Sequence, residues 1–339
     1  MTILLTGASG VVGQAIVAEL GGSRVIGCVH GGAVIPGIRE TVVCDLARPR
    51  LGLGSRLWDR LAREVDVIIH SAALTVWGAP TERYEAINVH GTNELIELAR
   101  CAGAPIHLIS TSFVRALQLH PLESISPGNV VRPYIASKLE SERLLLESGV
   151  PSTIFRPTNL LGDSRTGASA RPQIVQMLSE WICRGKAPYF PAHPGNLIDV
   201  VPVDLLAAAV AGAVETQDLG REYWVTSGAE ALSVGESLEI LIEHARGQGR
   251  EIELAPVVDP RGDLPVALER VPAMSRPFLK VLTDVSEVTH ACGGVLPSSL
   301  AELRERYPLT DVSDAEAYRR SLDYWAAQRN DLAAIGEQA

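Results

Sequence analysis

The chain has 339 residues, 46% of them hydrophobic and 21% charged, and its 40 acidic against 30 basic side chains give a formal net charge of −10. That length is enough for one large α/β domain and a smaller cap with ample core, and the composition is that of a compact enzyme rather than a disordered or fibrous chain. The acidic balance argues against a nucleic-acid partner, whose phosphates select clustered Lys and Arg, and no apolar run reaches membrane-spanning length.

Apolar β-branched runs alternate with helical periodicity through the first half, the pattern of βαβ units and a parallel sheet. The expected strands are Ile3–Leu5, Arg24–Val29, Thr41–Cys44, Val65–His70, Pro105–Ser110 and Thr153–Phe155. Helices are expected at Val11–Leu20, Ser55–Arg63, Thr81–Cys101 and Pro133–Leu146. With right-handed crossovers these make a doubly wound sheet whose ligand lies at the carboxyl ends of the strands. The second half is less regular. Pro172–Arg184 reads as helix, Leu197–Val203 as extended and Asp204–Val214 as an Ala-rich helix. Tyr223–Thr226 reads as a strand, Ser233–Gly247 as a helix after a Ser cap, and Glu251–Ala255 as a further strand. Pro and Gly thicken from Asp259 to Ser275, which predicts loops and short helices. Two helical patterns, Ser298–Arg306 and Asp314–Ala327, precede a frayed tail in the 330s.

Gly7, Gly10 and Gly13 recur every third residue between the first strand and its helix. Without side chains there, the turn tightens, the backbone approaches a pyrophosphate and the helix packs on the sheet. The helix start, with Ser9, Val11 and Val12, then offers free N–H groups and a positive dipole end to phosphates. The second strand ends Gly27-Cys-Val-His30-Gly-Gly, without the acid that binds a ribose 2′-hydroxyl. An acid would repel a 2′-phosphate, so NADPH is favoured, with NADH as the alternative and His30 as a candidate contact. Asp45 follows the third strand, placed to accept a hydrogen bond from the adenine amino group, with Leu46 beside the ring.

Tyr134 and Lys138 are four apart and share one face of a helix starting at Pro133. A free phenol has a pKa of ~10, and a nearby ammonium favours phenolate and lowers it. Lys138 can also bond the nicotinamide ribose. Tyr134 would donate a proton to the developing alkoxide while a nicotinamide delivers hydride. Thr111 and Ser112, at the end of the fifth strand, are both candidates for the hydroxyl that holds the carbonyl oxygen beside the tyrosine.

Thr6-Gly-x-x-Gly-x-x-Gly13, Asp45-Leu46, Ser71-Ala-Ala73, Asn88-Val-His-Gly-Thr92, Tyr134-x-x-x-Lys138 and Arg156-Pro-Thr-Asn159 together resemble an extended short-chain dehydrogenase/reductase over roughly residues 1–215. Asp45-Leu-Ala-Arg-Pro-Arg-Leu-Gly-Leu53, His70-Ser-Ala-Ala-Leu-Thr-Val-Trp77, Gly162-Asp-Ser-Arg-Thr-Gly-Ala168 and Val201-Pro-Val-Asp204 look like the thioester reductase domains of carboxylic acid reductases and nonribosomal peptide synthetases. In that group the catalytic hydroxyl precedes a valine by three positions, which points to Thr111 before Val114. The resemblance implies a Rossmann domain over 1–162 with returning segments near 197–226, and a smaller C-terminal α+β substrate cap over 163–196 and 227–330. It adds Ser71, Ala72, Ala73, Pro157, Thr158 and Asn159 to the cofactor-binding residues.

The implied reaction is reduction of an acyl thioester to an aldehyde by NADPH. Such domains usually follow a carrier domain, and here nothing precedes the first strand, so the acyl group is expected on a separate carrier, on coenzyme A or free. The alternatives are a ketoreductase for a free ketone or aldehyde, an NAD-dependent sugar epimerase or dehydratase, and a cofactor-binding protein without turnover. Trp77 and Phe113 are pocket or core residues, Arg165 is a phosphate contact or a solvated loop residue, and His70 is structural. Helices near 81–101 and 133–149 would suit a homodimer, with a monomer as the alternative. The eight histidines show no metal-ligand spacing, so no metal is expected. Cys28, Cys44, Cys101, Cys183 and Cys292 form no C-x-x-C pair, and no signal peptide precedes the first strand. The expected location is the cytoplasm.

Overall fold

A computed structural model describes residues 1–21, 23–31, 35–253 and 255–336, with side chains described to residue 329. The chain forms two compact units. The first comprises Met1–Pro157, Leu206–Val225 and Ser299–Leu309, and the second Thr158–Leu205, Thr226–Ser298 and Thr310 onward. The first opens with β1 (Thr2–Thr6), α1 (Val11–Glu19), β2 (Arg24–Val29), β3 (Glu40–Val43), α2 (Ser55–Glu64) and β4 (Val67–His70). It continues through α3 (Thr81–Tyr84), a π-helical turn (Glu85–Val89), α4 (His90–Ala102), β5 (Ile106–Ile109), α5 (Val114–Leu119), α6 (Arg132–Glu147) and β6 (Ser152–Pro157). The second unit begins with β7 (Asn159–Leu161), α7 (Ile174–Cys183), β8 (Phe190–Pro191), β9 (Leu197–Ile198) and β10 (Val200–Pro202). Most of α8 (Val203–Thr216) and all of β11 (Arg221–Val225) belong to the first unit again. Of the remaining elements, β12 (Leu232–Ser233), α9 (Val234–Gly247), β13 (Val257–Val258), α10 (Arg276–Ala291) and α12 (Asp314–Gly336) are in the second unit and α11 (Leu300–Arg306) is in the first.

The first unit is built on a seven-stranded sheet in the order β11-β6-β5-β4-β1-β2-β3, every pair parallel. Parallel strands covered on both faces read as continuous apolar runs, and β1 and β4 are buried along their whole length. On one face Leu4, Ile26, Ile68, Ile106 and Ile154 pack with Trp58 and Leu61 of α2 and Leu95, Ile96 and Leu98 of α4. The strand order reverses between β1 and β4, both of which lie at the centre. That reversal leaves a crevice at their carboxyl ends, where an open α/β sheet binds its ligand. This is the doubly wound α/β fold expected of the sequence.

All six expected strands of the first half are present. The expected helix Thr81–Cys101 is broken at Glu85–Val89, where the hydrogen-bond ladder widens to a π turn. Leu197–Val203 is two short strands separated at Asp199, and the first division falls after Pro157 rather than after 162. Leu197–Leu205 joins the second unit because β7 pairs with β10, not with the large sheet. Among the described residues of Glu251–Ala255, which leave out Leu254, no strand forms; the short strand β13 lies just beyond, paired with β8. The sixteen-residue helix α10 was not anticipated: it follows the Pro-rich stretch and starts with Pro277 in its first turn. In the second unit Trp181, Tyr189, Phe190, Leu241, Tyr318 and Leu322 form a separate core. The backbone is helical to Gly336, past the expected fraying, and residues 337–339 lie outside the described set.

Asp218, between α8 and β11, ties the late segment Ser299–Leu309 into the first unit. Its Oδ2 accepts from the buried phenols of Tyr223 (2.5 Å) and Tyr307 (2.6 Å), and its Oδ1 lies 2.8 Å from Arg306. Tyr307 in turn packs on Gly212 of α8, where an added Cβ would lie 2.5 Å from the ring. Removing the shared acceptor takes the charged partner from two buried phenols at once. Asp218→Ala is expected to cost about 3 kcal/mol in chemical denaturation, and Asp218→Asn, which keeps an acceptor oxygen, clearly less.

Candidate active site

The turn from β1 into α1 is a cradle that only glycine fits. Gly7 has a φ of +69°, and a Cβ there would lie 2.8 Å from the backbone N of Ala72. At Gly13 a Cβ would come within 2.2 Å of the Gly7 carbonyl oxygen. The turn is closed by Gly10 N–H donating to Gly7 O at 2.8 Å. No side chain caps α1 and no acid lies in its first turn, so the N–H groups of Val11, Val12 and Gly13 are open to an anion. Ser9 is exposed beside them, its carbonyl taken by Gln14 Nε2 at 3.0 Å. The arrangement fits a pyrophosphate.

His30 is exposed at the end of β2, just before residues 32–34, which lie outside the described set. The Asp45 carboxylate accepts from the Ala47 N–H at 3.0 Å and lies 3.2 Å from Arg48. Leu46 packs on α4 at Gly91, where a Cβ would sit 2.8 Å from the Leu46 Cβ.

The loop Ser71–Ala73 at the end of β4 is positioned by a buried polar chain. Ala72 N–H donates to Thr6 Oγ1 (3.1 Å), which contacts His70 Nδ1 (2.8 Å); His70 Nε2 contacts Thr92 Oγ1 (3.1 Å), which donates to Asn88 O (2.6 Å). Because the one Thr92 proton goes to Asn88, His70 must carry its proton on Nε2 and accept at Nδ1 from Thr6. Burial, with the Lys138 charge adding to it, brings His70 down to about 3, so the ring is neutral. The sequence reading of His70 as structural agrees with this geometry.

Asn88, in the π turn, links that loop to α6. Its Oδ1 accepts from Leu74 N–H at 2.7 Å, and its Nδ2 donates to Ser137 Oγ at 2.9 Å. Ser137 Oγ donates to Tyr134 O at 2.7 Å. Asn88 was quoted only as part of a motif; its signal was a polar residue on a helix face that also carries the buried Thr92.

Tyr134 and Lys138 lie one turn apart on the buried face of α6. Lys138 is 2% exposed, and its Nζ makes one hydrogen bond among the described residues, to Ile109 O at the end of β5 (2.7 Å). Burial brings Lys138 down to about 8, with Glu142 opposing the shift. The tyrosine departs from expectation. Burial pushes its phenol up to about 12 despite a hydrogen bond with the Thr111 side chain, because desolvation of the phenolate outweighs that bond. Tyr134 is thus held protonated, as an acid ready to give its proton, rather than poised as phenolate.

Of the two hydroxyl candidates the structure brings Thr111 to Tyr134. Ser112 Oγ is wholly buried without a hydrogen-bond partner among the described residues, and its backbone N–H donates to Pro157 O at 2.8 Å. Phe113 is buried, Trp77 half-buried and Arg165 exposed. Thr158 and Asn159 fall in the second unit, where both side chains donate to Asp199 O at 3.1 and 3.2 Å. Among the described residues no cluster of His, Cys, Asp or Glu could hold a metal, and no helix is long and apolar enough to cross a membrane.

A dinucleotide turn at the sheet's switch point and a Thr-Tyr-Lys set beside it define an NAD(P)-dependent oxidoreductase of the extended short-chain type, with thioester reductase-like character. The NAD-binding family described as "Male sterility protein" matches residues 39–210, just over half of the chain, and the chain belongs to that family. It is 29% identical over 320 residues to the fusarin C synthetase of Gibberella fujikuroi, an alignment covering 88% of this chain and 8% of that protein. The chain therefore spans less than a tenth of the length of this curated relative. Among solved structures it is similar to the terminal R domain of the myxalamid PKS-NRPS pathway, with a TM-score of 0.72 and 25% identity over 96% of this chain and 91% of that one. The UDP-glucose 4-epimerase of Thermotoga maritima shares the fold alone, with a TM-score of 0.65 and 18% identity over 97% and 99% of the two chains.

Gly13→Ala tests the cradle. The added methyl meets backbone, so the turn has to open, and NAD(P)H affinity in a fluorescence titration is expected to fall by roughly 10- to 100-fold, about 1.4–2.7 kcal/mol. Gly21→Ala, where nothing lies within 4 Å of the new Cβ, is expected to leave affinity unchanged.

Proposed function

We propose that this protein reduces an acyl thioester to the aldehyde with NADPH, with Tyr134 as the proton donor. The observation that carries the chemistry is the buried Tyr134 phenol, beside the Thr111 side chain and one turn before the buried Lys138 on α6. The likeness to the myxalamid R domain and to the synthetases supports the thioester as substrate. The lack of an acid at the end of β2 supports NADPH over NADH.

Gly7, Gly10, Gly13 and the first N–H groups of α1 hold the pyrophosphate, Asp45 and Leu46 flank the adenine, and Lys138 holds the nicotinamide ribose. The nicotinamide, when bound, supplies the hydride. Thr111 and Tyr134 bond the substrate carbonyl oxygen, and as negative charge grows on that oxygen Tyr134 transfers its proton to it. The hemithioacetal so formed collapses to aldehyde and thiol, its hydroxyl proton ending on the departing sulfur, and Tyr134 is reprotonated from solvent, so the balance is thioester, NADPH and H⁺ to aldehyde, thiol and NADP⁺. A phenol held at about 12 suits this direction, since it is fully protonated at neutral pH.

Two measurements test the proposal. Tyr134→Phe removes only the phenolic oxygen, so NADPH is expected to bind with unchanged affinity while turnover falls at least about 100-fold; a fully active variant would remove Tyr134 from the reaction. Followed by NADPH oxidation, acyl thioesters on coenzyme A or a phosphopantetheine carrier are expected to be consumed with aldehyde release. Turnover confined to free ketones or aldehydes would replace the proposal with a ketoreductase.

A further inference from the structure

Lys138 sits in the first unit as a buried cation whose only hydrogen bond among the described residues goes to a neutral carbonyl. Left to desolvation alone, such an amine gives up its proton. One turn further along the same face of α6 lies Glu142, also 2% exposed. Its carboxylate makes no hydrogen bond to the ammonium and is held by Arg156 of β6 instead. Arg156 Nε reaches both carboxylate oxygens at 3.0 and 3.2 Å, and its NH2 reaches Oε2 at 2.7 Å. The same NH2 bonds Glu222 of β11 at 2.6 Å, and the guanidinium carbon lies 4.6 Å from the Trp224 ring centre. Charges therefore alternate from the active site outward: Lys138 positive, Glu142 negative, Arg156 positive, Glu222 negative.

The other titratable groups packed about Lys138 carry no charge at neutral pH. His70 on β4 is neutral, Tyr134 on the same helix is protonated, and Tyr84 of α3, whose ring centre is 6.3 Å from that of Tyr134, donates to Val76 O. Glu142 is the acid whose field opposes the burial of Lys138. We propose that Glu142 is a positioning residue for hydride transfer: pinned by Arg156, its carboxylate keeps Lys138 charged and so able to hold the cofactor ribose. Arg156 has a separate task. By taking every strong hydrogen bond of the carboxylate, it prevents a direct Lys138–Glu142 ion pair that would draw the ammonium away from Ile109.

The inference rests on the proposed role of Lys138, and NADPH dissociation constants measured across pH by fluorescence, without turnover, separate the two. In the wild type affinity is expected to be constant below about pH 7 and to weaken tenfold per pH unit above about 8, where Lys138 loses its proton. In Glu142→Gln that limb is expected about one pH unit lower, with wild-type affinity recovered at pH 6. In Arg156→Lys, which keeps the charge but breaks the fork, the limb is expected to stay in place. A uniform loss of affinity in both variants, with the limb unmoved, overturns the proposal and leaves a purely structural ion pair. Should Glu142→Gln not fold, the paired variant Glu142→Gln/Arg156→Met removes the acid without stranding the guanidinium, and a smaller downward displacement is expected of it because the like charge of Arg156 is removed as well; an unmoved limb again overturns the proposal. A limb that persists in Lys138→Met, or its absence from the wild type, overturns the ribose-binding role of Lys138 itself.

Discussion

A positive charge closed off from water, the Lys138 ammonium on the last carbonyl of β5, is the constraint around which the first unit is arranged. Burying an unpaired charge in a low-dielectric interior is prohibitively costly unless fixed dipoles and countercharges are supplied. Here the Ile109 carbonyl of β5 supplies the dipole and Glu142 of α6 the countercharge, which Arg156 of β6 holds while itself pairing with Glu222 and lying over Trp224 of β11. The neighbouring strands β5, β6 and β11 thus each contribute to the chain of charges that starts at the ammonium. Helix geometry then places Tyr134 one turn before the ammonium and Glu142 one turn after it, so α6 faces the sheet in one rotational setting.

The neutrality of the remaining groups follows from the same constraint. A second buried cation at His70 would oppose Lys138, and burial already removes that proton. A neutral imidazole with one donor and one acceptor can stand in the middle of a directional chain, which joins Ala72 and Thr6 on the cofactor side to Thr92 and Asn88 on the helix side. From Asn88 the chain continues through Ser137 to the backbone of Tyr134. The pyrophosphate cradle and the proton donor are thus joined by short hydrogen bonds within one unit. The π turn at Glu85–Val89 is what lets Asn88 offer its amide to both Leu74 and Ser137 while its carbonyl serves Thr92 and Ser141.

Where sequence and structure agree, local chemistry was decisive. The glycine turn, the six strands and the Tyr-Lys helix were legible because each rests on local requirements: a positive φ, a continuous apolar run, a four-residue spacing. The Ser cap likewise announced α9, and in the structure Ser233 and Glu236 form a capping box. What was not legible depends on partners far along the chain. Thr111 and Ser112 have the same local pattern, and the choice of Thr111 comes from the family resemblance rather than from the residues themselves; in the structure the approach of α6 sets the two apart. The upward direction of the Tyr134 shift is hidden in the sequence because spacing reveals a neighbouring lysine but not the exclusion of water. Helix α10 was hidden by the Pro-rich run before it, and the short strand β13 is defined by pairing with β8 rather than by its own composition. Thr158 and Asn159 stand among the cofactor-binding residues by resemblance alone, and their side chains bond Asp199 O within the second unit.

The Asp218 cluster has a consequence for the order in which the molecule can be completed during synthesis. The nucleotide-binding unit is discontinuous, and its last piece, Ser299–Leu309, is made after most of the second unit. Until that piece leaves the ribosome, Asp218 lacks Tyr307 and Arg306, and the surface of α8 at Gly212 stays uncovered. The six strands of the N-terminal half and β11, which pairs with β6, precede that piece in the chain. A nascent chain stalled before residue 299 would therefore present to chaperones and proteases a complete set of sheet strands in a unit whose Asp218 cluster is still open.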